Sequence, residues 1–363
     1  MKRNLNLLLI NPWIYDFTAY DFWSKPLGLL YIASILREQK YLVNYIDCMD
    51  RYNPKILKLQ QREFPKKDEF GRGAFYKKEI KKPEILKDIP RRFSRYGITE
   101  GIFLEELEKA PQPQSNLDYI CILSSRGCPF RCSYCASFRI NPKLEFRNSV
   151  KVVKEMTYWN KEKRVKDFVF YDDALLINPK DNFLVMLDGL IYKKVNAQLH
   201  TPNGIHARMI NEEIASKMYQ AGVETIRLGF ETVDSLTQSE TGGKITNPEF
   251  KKAVDCLLRA GFKTSQIGAY LLIGLPGQDI KQIIDSIRFV IDCGVHPHLA
   301  KFSAIPGTKI WDRAKSYFKL EENVDPLFHN DALLPYLSPD ITDKNYQQIK
   351  SIVKYNSINS NML

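Results

Sequence analysis

The residues of this chain best placed to do chemistry are three cysteines: the stretch RGCPFRCSYC sets Cys128, Cys132 and Cys135 at spacings of four and three residues. On a loop leaving a strand, a tight turn can point all three thiols at one centre. Three thiolates are an incomplete set for a cubane of four irons and four sulfides, so one iron is left open to a substrate or cofactor. A structural zinc would want a closed set of four ligands. The fourth is hard to find, because no histidine precedes His200 and Cys121 lies inside an apolar run. The scattered thiols Cys48, Cys121, Cys256 and Cys293 sit in apolar or helical contexts that suit buried free cysteines. Such a distribution does not resemble a secreted disulfide framework and fits metal ligands in a reducing cytosol.

The elements that must hold these cysteines read as an α/β protein. From Leu117 onward, short apolar runs alternate with amphipathic stretches, as in repeated strand-helix units around a parallel sheet. Strands are expected at Tyr119–Ser124, Lys166–Tyr171, Ala197–Thr201, Thr225–Phe230, Gln266–Gly274 and His298–Phe302. Helices are expected to start near Asn148, Asp181, Asn211, Asn247 and Gln278, each with a polar or acidic residue at its head. Six such strands can curl into a partial, TIM-like (β/α)6 barrel whose chemistry gathers at the carboxyl ends of the strands. The cysteine cluster, Asp172 and Asp173, Asn203, Glu231, the Gly274–Gly277 turn and the Pro306–Thr308 turn all come after strand ends.

Ahead of the barrel, Leu5–Asn11, Gly28–Glu38 and Tyr41–Asp47 read as strand, helix and strand, one βαβ unit within residues 1–50. Residues 51–115 carry Pro54, Pro65, Pro83, Pro90, Pro111 and Pro113 among many lysines and read as a basic connector or lid. The barrel then takes 116–310, and 311–363 is a partly helical C-terminal cap. Residues 51–96 hold fifteen Lys or Arg against six Asp or Glu, most of the chain's net charge of +11. That excess, with aromatics interleaved in RRFSRY, can steer a nucleic acid; a lysine-rich solvated connector explains it without one and is preferred, since no nucleic-acid motif accompanies it. No run reaches the roughly 18 to 20 apolar residues that cross a bilayer, and the opening MKRNLNLLLINPW lacks a small-residue cleavage site. A cytoplasmic protein without a membrane partner is expected.

With Tyr134 just before the last cysteine, Cys128, Cys132 and Cys135 match the CxxxCxxC signature, and the chain resembles the radical S-adenosylmethionine (SAM) superfamily over roughly residues 117–310. The resemblance implies a 4Fe-4S cluster and SAM as cofactors. It implies reductive cleavage of SAM to a 5′-deoxyadenosyl radical that abstracts hydrogen from a substrate, with an electron donor such as flavodoxin or ferredoxin as partner. Cofactors carry that chemistry while the protein orients them and excludes water and oxygen. By the same resemblance, Asp172 or Asp173 in FVFYDDALL meets the methionine ammonium; a turn-capping Asp is the bland alternative. Glu231 in RLGFET lies near the ribose hydroxyls or the amino-acid moiety, with Arg227 as its other candidate partner. Ile273, Gly274 and Pro276 in YLLIGLPGQ lie beside adenine, or merely end a strand in a turn. Asn203 and Arg208 in HTPNGIHAR can face SAM or substrate, whereas His200 and His206 are expected to be packed or surface histidines rather than catalytic ones.

LLLINPW, KPLGLLYIASILRE and VNYIDCMD resemble the opening of the cobalamin-binding domain that precedes many such barrels, and SAIPGT at Ser303–Thr308 resembles the sixth-strand ending of that branch. This implies a second reading, a cobalamin-dependent methyltransferase. The resemblance stops near Asp50, and no histidine serves a DxHxxG motif. Cobalamin is therefore an open cofactor, with the short domain arguing against it. A methylthiotransferase would need a second three-cysteine cluster upstream. A non-catalytic iron-sulfur or zinc-binding interaction protein is the alternative from another class.

Overall fold

The computed structural model describes residues 6–23, 25–61, 73–109, 119–322, 324–329 and 333–360. They fold as two compact units, Met1–Cys121 and Ile122–Leu363.

In the first unit, β1 (Asn6–Asn11) runs parallel to β3 (Leu42–Asp47), in register from Asn6 against Leu42 to Asn11 against Asp47, with α1 (Leu27–Glu38) as the crossover. This is the expected βαβ unit; Leu5 lies outside the described residues. Beyond Asp50 the chain is more than a connector. β2 (Ile14–Asp16), β4 (Lys77–Glu79) and β5 (Ser94–Tyr96) form an antiparallel sheet in the order β2-β5-β4. Two helices, α2 (Pro54–Leu59) and α3 (Glu100–Lys109), join them. The physical reason is a set of apolar residues spaced among the lysines: Ile56, Ile98 and Ile102 are buried with Ile46 and Cys48 in one cluster.

Within RRFSRY, Phe93 and Tyr96 are core residues and Ser94 and Arg95 are buried, so these aromatics do not form an exposed stacking platform. Arg95 lies over the Trp13 ring and pairs with Glu100, and Arg51 is buried against Asp21 at 3.2 Å. Buried arginine needs such partners, because an uncompensated charge away from water is strongly disfavoured. Pro65, Pro111 and Pro113 lie outside the described residues, as does the stretch 62–72 of the basic segment.

The second unit carries the six-stranded sheet. Its strands are β6 (Tyr119–Ile122, which begins at the end of the first unit), β9 (Asp167–Phe170), β10 (Gln198–His206), β11 (Val223–Glu231), β12 (Ile267–Ile273) and β13 (His296–Lys301). Their order is sequential, β13-β12-β11-β10-β9-β6, with parallel pairing from β9 through β13. A sequential parallel sheet whose end strands do not pair is the open, partial TIM-like barrel expected. β7 (Ser125–Arg126) and β8 (Glu145–Phe146) form a short antiparallel pair beside the cysteine loop. The helices are α4 (Ser137–Ile140), α5 (Ser149–Lys163), α6 (Phe183–Tyr192), α7 (Glu212–Gln220), α8 (Ser235–Glu240), α9 (Asn247–Arg259), α10 (Ile280–Asp292), α11 (Trp311–Phe318), α12 (Leu334–Leu337) and α13 (Asp343–Ser360).

Local capping sets where the crossover helices start. The side chains of Asn148, Asn211 and Asp279 accept hydrogen bonds from the backbone N–H of Lys151, Ile214 and Gln282, each satisfying a donor the helix itself leaves open. α9 and α10 cover the outer face of the sheet. Ile226, Leu228 and Phe230 of β11 are fully buried, and the Phe230 ring sits 4.3 Å from Phe250 and 5.3 Å from Phe289.

β10 and β11 are longer than their periodicity suggested: β11 gains residues at both ends, and β10 runs well past Thr201. HTPNGIH continues β10 through two register shifts, between Leu199 and His200 and between Thr201 and Ile205. Bulges accommodate Pro202 and Gly204 inside a paired strand, so Asn203 lies within β10 rather than after it.

Candidate active site

The cysteine loop is pinned at both ends before any cofactor is considered. Where β9 ends, the Asp172 carboxylate accepts hydrogen bonds from the backbone N–H and hydroxyl of Ser124 and from the hydroxyl and backbone N–H of Ser125. Its burial raises its pKa against the lowering effect of these donors. Gly127, at φ +86°, then passes so close to β8 that an added Cβ would lie 2.2 Å from the Lys143 carbonyl oxygen. A side chain there is excluded by backbone, which fixes the approach to Cys128.

At the far end, Ser133 N–H donates to the Thr241 carbonyl, Ile310 N–H donates to the Ser133 carbonyl, and Cys135 N–H donates to the Cys132 carbonyl. Arg139 holds the Gly307 carbonyl at 2.7 Å. The Pro306–Thr308 turn thus braces the loop.

Cys128, Cys132 and Cys135 are free and half-buried. Burial raises the thiol pKa of Cys128 and Cys132, and the Lys244 ammonium opposes that rise at both. Among the described residues, no three His, Cys, Asp or Glu side chains are arranged to share one metal ion. A cluster would take one thiolate on each of three separate irons, and the buried Lys244 cation suits the negative charge that thiolate ligation requires.

Lys244 is the residue sequence reasoning missed. Gly242, at φ +123°, passes the cysteine loop so closely that a Cβ would sit 3.1 Å from the Cys132 Cα; Gly243, at φ +58°, completes the turn. The ammonium then pairs with the Glu231 carboxylate at 3.2 Å, with both side chains mostly buried. Burial works against that charge, but Glu231 and the two cysteines outweigh it and hold the Lys244 pKa above the usual lysine value. Its legible signal was a Gly-Gly-Lys turn thirteen residues after Glu231. Gly229 makes the space, since a Cβ there would lie 2.6 Å from Lys244 Nζ.

Glu231 ends β11 at a bulge, at φ +74°, a left-handed conformation that a glutamate adopts only under constraint. Its partners are Lys244 and the Tyr134 hydroxyl. Arg227, the partner considered from sequence, lies four residues earlier and packs over Gly268 instead. Tyr134 is held neutral, its pKa raised by burial and then by Glu231.

The other residues singled out from sequence divide into those at the cysteines and those that position them. Asp173 acts electrostatically on Cys128, whereas the Asp172 carboxylate is occupied by the two serines. Asn203 Nδ2 donates to the Asp172 carbonyl at 2.9 Å, and Arg208 donates to the Gly243 carbonyl at 2.9 Å while pairing with Glu249. Both therefore brace backbone beside the site. Ile273 is buried at the end of β12. Gly274, at φ +86°, donates its N–H to Gln278, and the Pro276 carbonyl accepts from Arg313. Pro276 also borders a cavity of about 460 Å³ with Ser133, Thr241, Gln278 and Arg313.

The two histidines differ. His200 has both ring nitrogens engaged, with Asp167 at 2.8 Å and Thr225 at 3.0 Å. His206 is buried and stacked on Phe130 at 4.5 Å, with Nδ1 lacking a hydrogen-bond partner among the described residues. Its pKa falls to about 3, through burial and then the charges of Lys244 and Arg208.

Residues 122–290 match the family model described as Radical SAM superfamily. Among curated relatives, the chain is 23% identical over 195 residues to "Uncharacterized methyltransferase PH0819" of Pyrococcus horikoshii, covering 53% of this chain and 41% of the relative. It is 22% identical over 222 residues to the "Anaerobic magnesium-protoporphyrin IX monomethyl ester cyclase" of Rubrivivax gelatinosus, covering 61% and 38%. The chain thus spans about two-fifths of the length of these relatives. Among solved structures, the radical S-adenosylmethionine methyltransferase TsrM from Kitasatospora setae, with tryptophan substrate and a SAM analogue bound, is similar at a TM-score of 0.50 and 14% identity, covering 88% of this chain and 66% of that one. That likeness is one of fold.

Proposed function

From the match of residues 122–290 to the radical SAM superfamily model, we propose that the chain is a radical SAM enzyme that cleaves SAM reductively at a 4Fe-4S cluster held by Cys128, Cys132 and Cys135. The observation that carries the reading is the joining of the cysteine loop to the buried Glu231–Lys244 pair at the carboxyl end of the sheet. When bound, the cluster and SAM supply an electron and a 5′-deoxyadenosyl radical for hydrogen abstraction from a substrate; a one-electron reductant is the required partner.

The chain's own residues orient and shield. Lys244 supplies a buried positive charge suited to thiolates and to a carboxylate of SAM. Glu231, oriented by Tyr134 and Lys244, offers an acceptor to hydroxyl or ammonium groups, and Asp173 adds a second carboxylate on the Cys128 side. Asp172, Asn203 and Arg208 position backbone. A purely structural or interaction role leaves the strained Glu231 and its buried cation without a purpose, because such features are retained where they serve a site. Among the described residues, no helix is long and apolar enough to cross a membrane.

The test is anaerobic. Loaded with iron and sulfide, reduced and given SAM, the protein is expected to release 5′-deoxyadenosine, seen by chromatography, and to show a SAM-dependent change in the cluster EPR spectrum. A loaded protein giving neither overturns the reading.

The relatives' printed names favour a second reading, methyl transfer, and the resemblance of residues 1–50 to the opening of a cobalamin-binding domain would supply cobalamin as its cofactor. The first unit's βαβ core resembles the start of a cobalamin domain, but no histidine precedes His200, so that unit offers no imidazole ligand to the metal. Stoichiometric retention of cobalamin after desalting, with a methylated product, would establish this reading. Loss of cobalamin on desalting would remove it.

A further inference from the structure

Below the cysteine loop, the inner face of the sheet carries a second polar cluster that the SAM chemistry does not use. Arg227, Gly268 and His296 are register neighbours across β11, β12 and β13, and Gly229, Tyr270 and His298 form the next row toward the strand ends. All point away from the face closed by α9 and α10, because side chains alternate along a strand and the intervening Leu228 and Ala269 are fully buried. They share that inner face with Glu231, which the bulge after Gly229 turns to this side, since a Cβ on Gly229 would lie 3.5 Å from the Glu231 Oε1; it ends the strand roughly 13 Å beyond Arg227.

Glycine makes the arrangement possible. A Cβ on Gly268 would lie 2.5 Å from the His298 ring and 3.1 Å from Arg227 Cδ, so the imidazole and the arginine stem both lie across its bare backbone. A Cβ on Gly204 would likewise meet the Tyr270 ring at 3.1 Å. The His296 and His298 rings stand edge to face at 4.7 Å, with Tyr270 and His298 at 5.8 Å.

The interiors of such barrels are ordinarily filled by layers of branched apolar side chains. Here the layer holds a guanidinium, two imidazoles and a phenol, and all four side chains are half-buried rather than sealed; one guanidinium nitrogen donates to the Ile226 carbonyl at 3.1 Å and the phenol to the Pro202 carbonyl at 2.7 Å. No hydrogen bond to a His298 ring nitrogen is made among the described residues. The charge acting on Tyr270, His296 and His298 is that of Arg227; it lowers the pKa of both histidines, after burial, and so keeps them neutral. A cation flanked by neutral imidazoles presents positive potential and hydrogen bonds together, which is what a carboxylate or phosphate group requires.

We propose that Arg227, His296 and His298, beside the Tyr270 ring, hold the substrate, and that the substrate bears an anionic group, a carboxylate or a phosphate, taken by Arg227 and the two imidazoles. This rests on the radical reading above, since it places the anchor on the face that also bears Glu231.

The test is equilibrium dialysis of the full-length, cluster-loaded protein in saturating SAM and without reductant. Radiolabelled inorganic phosphate and acetate are the probes, at fixed ionic strength. At least one should bind saturably, and which one binds more tightly distinguishes a phosphoryl from a carboxyl group. Arg227→Gln should weaken that binding about tenfold or more, as expected for loss of a charged hydrogen-bonding partner. His298→Gln should weaken it by a smaller factor and keeps the question open to an answer if the arginine variant does not fold. No saturable binding to the wild type, or binding that neither substitution weakens, overturns the inference. Release of 5′-deoxyadenosine is scored separately on the reduced wild type. If it fails while anion binding responds to Arg227, the radical reading has fallen and takes the substrate role with it; if it succeeds without such binding, only the anchor has fallen.

Discussion

Along β11, Ile226, Leu228 and Phe230 point to one face and Arg227 and Glu231 to the other. The first set is sealed under α9 and α10, with Phe230 packed between Phe250 and Phe289. The second meets His298, Lys244 and Tyr134. One strand thus does two jobs because its side-chain period is two. Burial of apolar surface on the outer face stabilises the sheet, at roughly 25 cal/mol per Å². That leaves the inner face able to carry groups that contribute little to stability or detract from it, such as a buried lysine and a glutamate at positive φ. Stability and chemistry should therefore separate by face, and substitutions can test that separation.

The largest effect is expected on the inner side. Cys132→Ala should abolish the visible absorbance of the reconstituted cluster and all 5′-deoxyadenosine formation, whereas Cys256→Ala, on an outer helix, should leave the absorbance in place. A chromophore that survives loss of all three loop cysteines would sink the site assignment.

Next comes a change confined to the outer face. Phe230→Ala removes a fully buried ring and should destabilise the protein by about 3 to 5 kcal/mol in denaturant unfolding. A cost below about 1 kcal/mol would mean that the two faces are not divided as described.

A smaller effect, again on the inner face, is expected at Lys244. Lys244→Met removes the cation facing Glu231 and the cysteines, and should weaken SAM binding about ten- to hundredfold, equivalent to about 1.4 to 2.7 kcal/mol. Lys244→Arg should recover part of it. Equal SAM affinity in all three proteins, measured by EPR titration, would remove Lys244 from the binding site.

How much of this the sequence disclosed obeys the same division. The outer face and the strand order were readable, because apolar runs of strand length alternate with capped amphipathic helices: Asn148 and Asn211 cap helices where starts were expected, and the helix expected near Gln278 is capped by Asp279, one residue on. That Cys128, Cys132 and Cys135 share one loop after the first barrel strand was readable from local spacing. Lys244 was not, since its role depends on a Gly-Gly turn folding back beside Cys132, a contact between residues more than a hundred positions apart. Nor was the division of labour between Asp172 and Asp173, which are adjacent in sequence. Only packing shows that the first is taken by Ser124 and Ser125. The antiparallel sheet of β2, β4 and β5 was hidden because its strands are three residues each, too short to show a period, and lie among lysines and prolines.

The smallest expected effect, about 1 kcal/mol at pH 5.5, separates the faces by pH rather than by magnitude. His296 has its pKa lowered to about 4, by burial and then by Arg227, against about 6.5 in an unfolded chain. Above pH 6.5 both states hold the imidazole neutral and its contribution to stability is fully present. As pH falls from 6.5 toward 4 the unfolded chain takes a proton that the native protein refuses, so stability is lost across that window. The loss is at most about 3 kcal/mol over the whole window and about 1 kcal/mol by pH 5.5. His296→Gln cannot take that proton, so its denaturant midpoint should fall less steeply than the wild type's between pH 7 and 5. An outer-face change such as Phe230→Leu should instead lower the midpoint by a similar amount at every pH, because it alters packing and no proton equilibrium. If the glutamine variant and the wild type show the same slope, His296 is not held neutral on the inner face, and the electrostatic contrast between the two sides of the sheet fails at that row.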